Sequence, residues 1–329
     1  MKKTVSLLCL LLLVNIVVVG QQDPQFTNNM HYRLGANPGY AGAEDAIHGL
    51  LLNRYQWVGY GGGEPKTLVF SVDAAVNAFG APGGVGINIV SDEWGFFRNM
   101  WVNFNYSYKL ETSLGTLGIG VAPGFFNFNI NPEQGWITSD DIAGDAFSRY
   151  DIGPGAGGET GDAFVPQEQT SQLAFDVGLG GYLYTNKYYL GVSASHLNQA
   201  PIKYDDLEIY YLVRSYTLMG GYNIKLTDPL FEVRPSFLFK SDVASWQLDL
   251  NTNVVYNDKL WAGLSYRIQD AVALLMGVEL VNGLQIGYSF DLVTSSVRRY
   301  SFSSHEFFVS YSIDLERSRN QKYKSIRFL

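Results

Sequence analysis

Residues 246–256, WQLDLNTNVVY, alternate with a period of two. Trp246, Leu248, Leu250, Thr252, Val254 and Tyr256 fall on one face, and Gln247, Asp249, Asn251, Asn253 and Val255 on the other. A period of two belongs to a strand with two unlike faces. The same pattern returns in LQIGYSFDL (284–292), where Gln285, Gly287, Ser289 and Asp291 oppose Leu284, Ile286, Tyr288, Phe290 and Leu292. It returns again over 307–315, with Phe307, Val309, Tyr311, Ile313 and Leu315 on one side. The polar faces decide what kind of strand this is. A solvated face usually carries Lys, Glu and Arg, whereas these faces carry Asn, Gln, Ser, Gly and Asp, which suit a wet and crowded lumen.

Composition points the same way. Only 16% of residues are charged, against about 25% in an ordinary soluble domain. Gly (35), Tyr (22) and Phe (20) are abundant. After Val19 no apolar run reaches the roughly 20 residues a membrane helix needs. The expected fold is all-β: a transmembrane antiparallel up-and-down β-barrel with a polar lumen. Gln247, Asp249, Asn251, Asn253, Gln285 and Asp291 are expected to face that lumen. Tyr108, Trp246 and Tyr256, near strand ends, fit aromatic girdles at the membrane interfaces.

Fourteen strands are expected: 46–59, 66–79, 83–92, 97–110, 114–128, 171–184, 187–198, 209–225, 231–241, 244–256, 258–268, 271–280, 283–293 and 304–315. The long connections, 129–170, 199–208 and 294–303, are all odd-numbered, while 184–188, 256–259 and 281–283 are short and even-numbered. Outer-membrane barrels have short periplasmic turns and longer outer loops. That parity puts both termini in the periplasm. A barrel of this size is wider inside than wall side chains can fill. Water, a folded-in loop or the N-terminal segment must occupy it.

The N-terminus carries an export signal. Lys2 and Lys3 precede an apolar stretch, Val5 to Val19, and Val18 and Gly20 suit cleavage after Gly20. Loss of Lys2 and Lys3 takes the formal charge from −8 to −10. Such an acidic product is no candidate for nucleic acid, which needs clustered Lys and Arg. Cys9, the single cysteine, leaves with the signal, so no disulfide, thiolate metal site or cysteine nucleophile is expected. The resulting division is a signal peptide (1–20), an N-terminal strap or plug (21–45), the barrel (46–315) and a basic tail (316–329).

No catalytic or cofactor motif stands out, and neither enzyme activity nor a cofactor is expected. His31, His48, His196 and His305 form no zinc-binding spacing. Ser304, His305 and Glu306 are consecutive, so a strand would send them to alternating faces. GTLGIG (115–120) and GLGGYL (178–183) read as strands of small residues, not nucleotide loops. Loop 129–170 is acidic, with Asp140, Asp141, Asp145, Asp151, Glu159 and Asp162, and repeats GDAF, but its spacing matches no calcium loop.

The segment at 21–45 has no period. Asn37-Pro38-Gly39 signals a turn. Phe26, Met30, Tyr32 and Tyr40 are too apolar for a free linker. A plug packed in the periplasmic barrel mouth and a partner-docking segment are both open. DPQFTNNMHYRLGANPGYAG (23–42) resembles the opening of the PorP/SprF family of Bacteroidetes outer-membrane proteins. The resemblance continues through NRYQWVGYGGGEPKT (53–67), GGVGINIVSDEWG (83–95), YLYTNKYYLGVSASHLNQ (182–199), VRPSFLFK (233–240), residues 247–280, residues 284–306 and the terminal IRFL.

The resemblance implies an accessory outer-membrane barrel of type IX secretion and, in gliding species, of surface-adhesin display. It implies partners among the secretion components or a large exported adhesin-like protein, with outer-membrane lipid around the barrel. Asp23, Pro24, Gln25, Phe26, Asn37, Pro38, Tyr40, Gly42, Arg54, Gln56 and Trp57 match the family signature and are candidates for a strap or docking role. In the tail, Arg317, Arg319, Lys322, Lys324 and Arg327 make a candidate contact for an acidic periplasmic partner. The competing function is a channel or transporter for small or apolar solutes.

Overall fold

The computed structural model describes residues 23–60, 63–78, 80–95, 97–130, 170–204, 207–280 and 283–314. Residues 1–22, residues 131–169 of the acidic loop and the basic tail with Arg317, Arg319, Lys322, Lys324 and Arg327 lie outside the described residues.

Fourteen antiparallel strands close into a barrel: β1 (Ala46–Val58), β2 (Lys66–Ala78), β3 (Ala81–Trp94), β4 (Phe97–Thr112), β5 (Gly115–Ile130), β6 (Thr170–Tyr184), β7 (Tyr188–Ser195), β8 (Ser215–Tyr222), β9 (Phe231–Ser241), β10 (Trp246–Tyr256), β11 (Leu260–Arg267), β12 (Ala271–Glu279), β13 (Leu284–Val293) and β14 (Ser303–Asp314). Each strand pairs with its sequence neighbour. The seam joins β1 to β14, from Ala46 opposite Asp314 to Tyr55 opposite His305. Closure leaves no free edge, the condition for spanning a bilayer with strands. No helix among the described residues is long and apolar enough to cross a membrane.

Alternation sets the two faces. In β10, Trp246, Leu250, Thr252, Val254 and Tyr256 are exposed on the outside, and Gln247, Asp249, Asn251, Asn253 and Val255 are buried on the inside. Tyr108 is likewise exposed. In β14, Phe307, Val309 and Tyr311 point out, while Glu306, Phe308 and Ser310 are buried. Exposed Leu, Phe, Ile and Tyr of this kind recur around the barrel, as a lipid-facing band requires.

One expected strand is corrected. Residues 209–225 do not form one strand. A two-stranded hairpin, Pro201–Tyr204 with Leu207–Tyr211, precedes β8, and a two-residue strand, Ile224–Lys225, follows it. The chain around the hairpin turns inward. Ala200, Ile202 and Leu212 pack on Phe126, Phe128, Ile130 and Ala174. Apolar side chains on the inner wall supply a surface for this stretch, and burial overrides the local strand pattern.

Candidate functional site

Residues 23–45 occupy the barrel lumen. They follow no regular pattern beyond one short helix, α1 (Arg33–Ala36), and a 3₁₀ turn, Pro38–Tyr40. A segment without its own backbone ladder must find hydrogen-bond partners elsewhere when buried. The polar inner wall provides them. The segment enters at the short-turn end, where β1 begins, and runs through the lumen to the long-loop end.

Near its C-terminal side the segment lies against strands stripped of side chains. A Cβ on Gly84, Gly118, Gly120 or Gly180 would collide with Ala41, Gly39, Pro38 or Asn37 respectively. Glycines inside strands mark such close backbone approach. Asn37 Nδ2 donates to the carbonyls of Gly181 (3.0 Å) and Val192 (3.1 Å), and Asn37 Oδ1 accepts from Gly39 N at 2.8 Å. Ser107 and Ser193 donate to the carbonyls of Gly39 and Ala36. Gly42 has φ of +67°, a conformation glycine adopts freely, and its N–H reaches Asp73 Oδ2 at 2.7 Å. The Lys109 ammonium donates to the Gly42 carbonyl.

The middle of the segment is apolar. Phe26, Met30, Tyr32, Leu34 and Tyr40 are all buried, each such side chain contributing about 1.5–3 kcal/mol when fully removed from water. Phe26 meets Tyr32 edge-on at 4.9 Å. His31 stacks on Phe308 at 4.6 Å and lies 5.0 Å from Trp261. Arg33 lies over the Tyr189 ring at 4.5 Å, a cation–π contact.

The strongest attachment is a buried charge cluster on β1, β10, β11, β13 and β14. Arg54 pairs with Asp291 (2.9 Å) and Glu306 (3.1 Å), and Arg267 with Asp249 (3.2 Å) and Asp291 (3.6 Å). All five side chains are at most 3% exposed. Three carboxylates face two guanidinium groups, and a buried carboxylate short of donors is costly. The segment brings the missing donors. Thr27 N and Asn28 N donate to the two Glu306 oxygens at 3.0 and 2.7 Å, Asn28 Nδ2 to Glu306 Oε1 at 2.8 Å, and Thr27 Oγ1 to Asp291 Oδ2 at 2.6 Å. Asn29 bridges to Asp249 and accepts from Asn251. Gln247 donates to Asp249 at 2.8 Å, and Gln285 accepts from Ser310. Asn253 is buried on the same inner wall.

At the long-loop end the segment is clasped by His196, just beyond β7. Its Nδ1 lies 2.8 Å from Asp176 and its Nε2 2.9 Å from Asp23. Two carboxylates on the two ring nitrogens demand an imidazolium. Burial alone would lower the His196 pKa, but Asp23 and Asp176 outweigh it and push it up to about 10. Asp23 is held at about 2, against the effect of its burial, by His196 and by Lys240. Pro24 O accepts from Lys240 at 3.4 Å.

Of the expected plug or strap at 21–45, the described residues 23–45 lie inside the lumen and reach from the short-turn end to the long-loop end. Asp23 and Asp314 lie at opposite ends of the barrel, so the two ends of the described chain do not share a face. Strand parity locates where β1 starts and says nothing about how far an aperiodic segment reaches back through the lumen. The candidate strap residues lie at several separate points along the lumen. Arg54 bonds Thr27, Asn37 and Pro38 seat against the glycine wall, Tyr40 donates to Glu44 at 2.7 Å, and Gln56, Trp57 and Gln25 line a cavity beside Asp23 and Pro24. Thr27, Asn28, Asp176 and Arg267 were not singled out from sequence, and His196 and Glu306 were considered only for a zinc spacing and a triad and set aside. Charged residues at lumen positions of strands, such as Glu306 next to outward Phe307, were the available signal. No cluster of His, Cys, Asp and Glu suited to a metal occurs among the described residues.

A closed fourteen-stranded barrel with a lipid-facing apolar band and its own N-terminal segment folded into the lumen is a plugged outer-membrane β-barrel. The sequence profile of the type IX secretion system membrane protein PorP/SprF matches residues 18–311, and the chain belongs to that family. Comparison with curated proteins finds no match. Among solved structures, the chain is similar to the Acinetobacter baumannii outer membrane protein Omp33 (7% identity, 81% of this chain and 98% of that one, TM-score 0.44). It is also similar to the P. putida toluene transporter TodX (13%, 84% and 92%, TM-score 0.47) and to a mutant Rh. blastica porin (10%, 82% and 99%, TM-score 0.33).

Proposed function

We propose that this barrel is an accessory subunit of the type IX secretion and gliding machinery, supporting secretion or surface anchoring of a large exported partner. The observation that carries this reading is the filled lumen. Residues 23–45 are tied to the inner wall by the Glu306, Asp291 and Asn37 contacts, and such a barrel is better suited to holding proteins at its two faces than to passing solutes. By the parity of the connections, the short-turn end would be periplasmic and the long loops external. On this reading the basic tail would be the part offered to secretion components, and the long-loop end, where His196 clasps Asp23, would be the end nearer the exterior.

The test is a chromosomal deletion with surface proteomics. The proposal expects one or a few large exported proteins to vanish from the surface while general export continues. Normal display of all of them, together with a growth defect on particular solutes, would favour the channel reading instead.

A further inference from the structure

At the long-loop end a cavity of about 450 Å³ opens between residues 23–25 and the wall. Its size falls in the range of small-ligand sites, about 300–1,000 Å³. Trp57, Trp94 and Trp101 line it, half of the chain's six tryptophans. Interface tryptophans of a barrel belong on its lipid-facing girdle, yet these three turn inward. For Trp57 the cause is visible. The register of β1 with β14 shifts between Tyr55 and Val58, and Trp57 itself has φ of +56°. That is a β-bulge with a bulky residue in left-handed backbone, a combination that re-aims a side chain and persists only where the surroundings hold it. Ser304 Oγ accepts from Trp57 N at 3.0 Å and holds it.

The polar lining narrows the ligand. Lys240, the Asp23–His196 pair, Asp92, Asp242 and Asp270 line the cavity, so both signs of charge are present. Asp92 accepts from Thr67, Asp242 from Ser245, and Asp270 pairs with Arg267. An apolar solute would strip water from these charges without replacing it. A simple cation would meet Lys240, and a simple anion the carboxylates. A neutral ligand rich in hydroxyl groups, each both donor and acceptor, satisfies both signs, and the indole faces ask that it also present a flat C–H surface. We infer that the cavity is a saccharide-binding site, with Trp57 and Trp94 stacking on sugar rings and Lys240 and Asp242 bonding their hydroxyls. The sugar could arrive as a free oligosaccharide or as the glycan of a surface lipid.

The tryptophans provide the readout. The full chain is purified in a detergent without a sugar head group and titrated with maltotriose, cellotriose and the neutral, lipid-free outer-core oligosaccharide of lipopolysaccharide, following indole fluorescence. The inference expects a saturable change with at least one of them. Response to the core oligosaccharide alone assigns the surface-lipid source, and response to the linear trisaccharides alone the free source. Trp94→Ala weakens binding about tenfold, as loss of one stacking platform does, and Trp94→Phe restores part of it in the same folded barrel. Absence of any saturable change with all three sugars overturns the inference. So does a change unaltered by both Trp57→Ala and Trp94→Ala, or saturable binding of a basic peptide where no sugar binds.

Discussion

Glu306→Leu is the sharpest test of how the lumen segment is held. Glu306 is fully buried and accepts from Thr27 N, Asn28 N, Asn28 Nδ2 and Arg54 Nη1. Leucine keeps the bulk but accepts nothing. Arg54 retains Asp291, so the wall keeps one of its ion pairs. The two backbone N–H groups of the segment lose their acceptor, at about 1–3 kcal/mol each. Seating therefore weakens by about 2–6 kcal/mol, which raises the released fraction about 30-fold at the low end and about 10⁴-fold at the high end. The assay uses a Cys9→Ser background, in which Met30→Cys is the only thiol. Met30 is 7% exposed, so its reaction with a bulky maleimide reports release. Phe307→Leu, one residue away on the outward face, is the control and leaves the labelling rate unchanged. Thr27→Val, which removes only the segment's own hydroxyl, gives an intermediate rise. If Glu306→Leu labels within about threefold of the parent while the barrel is folded, the argument that these donors seat the segment is wrong.

Three further outcomes follow from the same geometry. Gly120→Val puts a side chain where Pro38 lies and should expose the segment to labelling, whereas Gly181→Ala, with nothing within 4 Å, should not. For the clasp, the raised His196 pKa contributes stability that is fully present below the ordinary value of 6.5 and is lost as pH rises towards 10. The lowered Asp23 pKa contributes stability present above 3.8 and lost as pH falls towards 2. Protection of a probe at Pro24 should then be greatest between about pH 4 and 6.5 and fall on either side, and His196→Gln should flatten the alkaline arm. In planar bilayers the full chain should be electrically silent and a variant lacking residues 23–45 should conduct; equal conductance of the two would mean that the segment does not obstruct the lumen.

The barrel was legible from sequence because its information is local and periodic. In 246–256 every second residue reports its face, and the observed burial follows that reading residue by residue. Loop parity is equally local, since it needs only an ordered list of strands. The lumen segment was illegible for the opposite reason. Its contacts join Asn28 to Glu306 and Asn37 to Gly181, far apart in the chain, and an aperiodic run of Asn, Pro and Gly carries no signal of where it docks. The glycines of 115–120 and 178–183 held half of that information. They showed that something approaches the wall closely, but not what. The region 209–225 misled because a hairpin and a barrel strand share the same β-prone residues, and only packing on Phe126 and Phe128 separates them.

Co-purification tests most directly whether this plugged barrel holds proteins, as proposed. The native protein is pulled down from its own membranes in mild detergent, beside a variant lacking residues 23–45, and the captured proteins are identified by mass spectrometry. The account predicts type IX secretion components or one large exported protein with the full chain. Capture of neither, from membranes in which the barrel is folded and abundant, would contradict it.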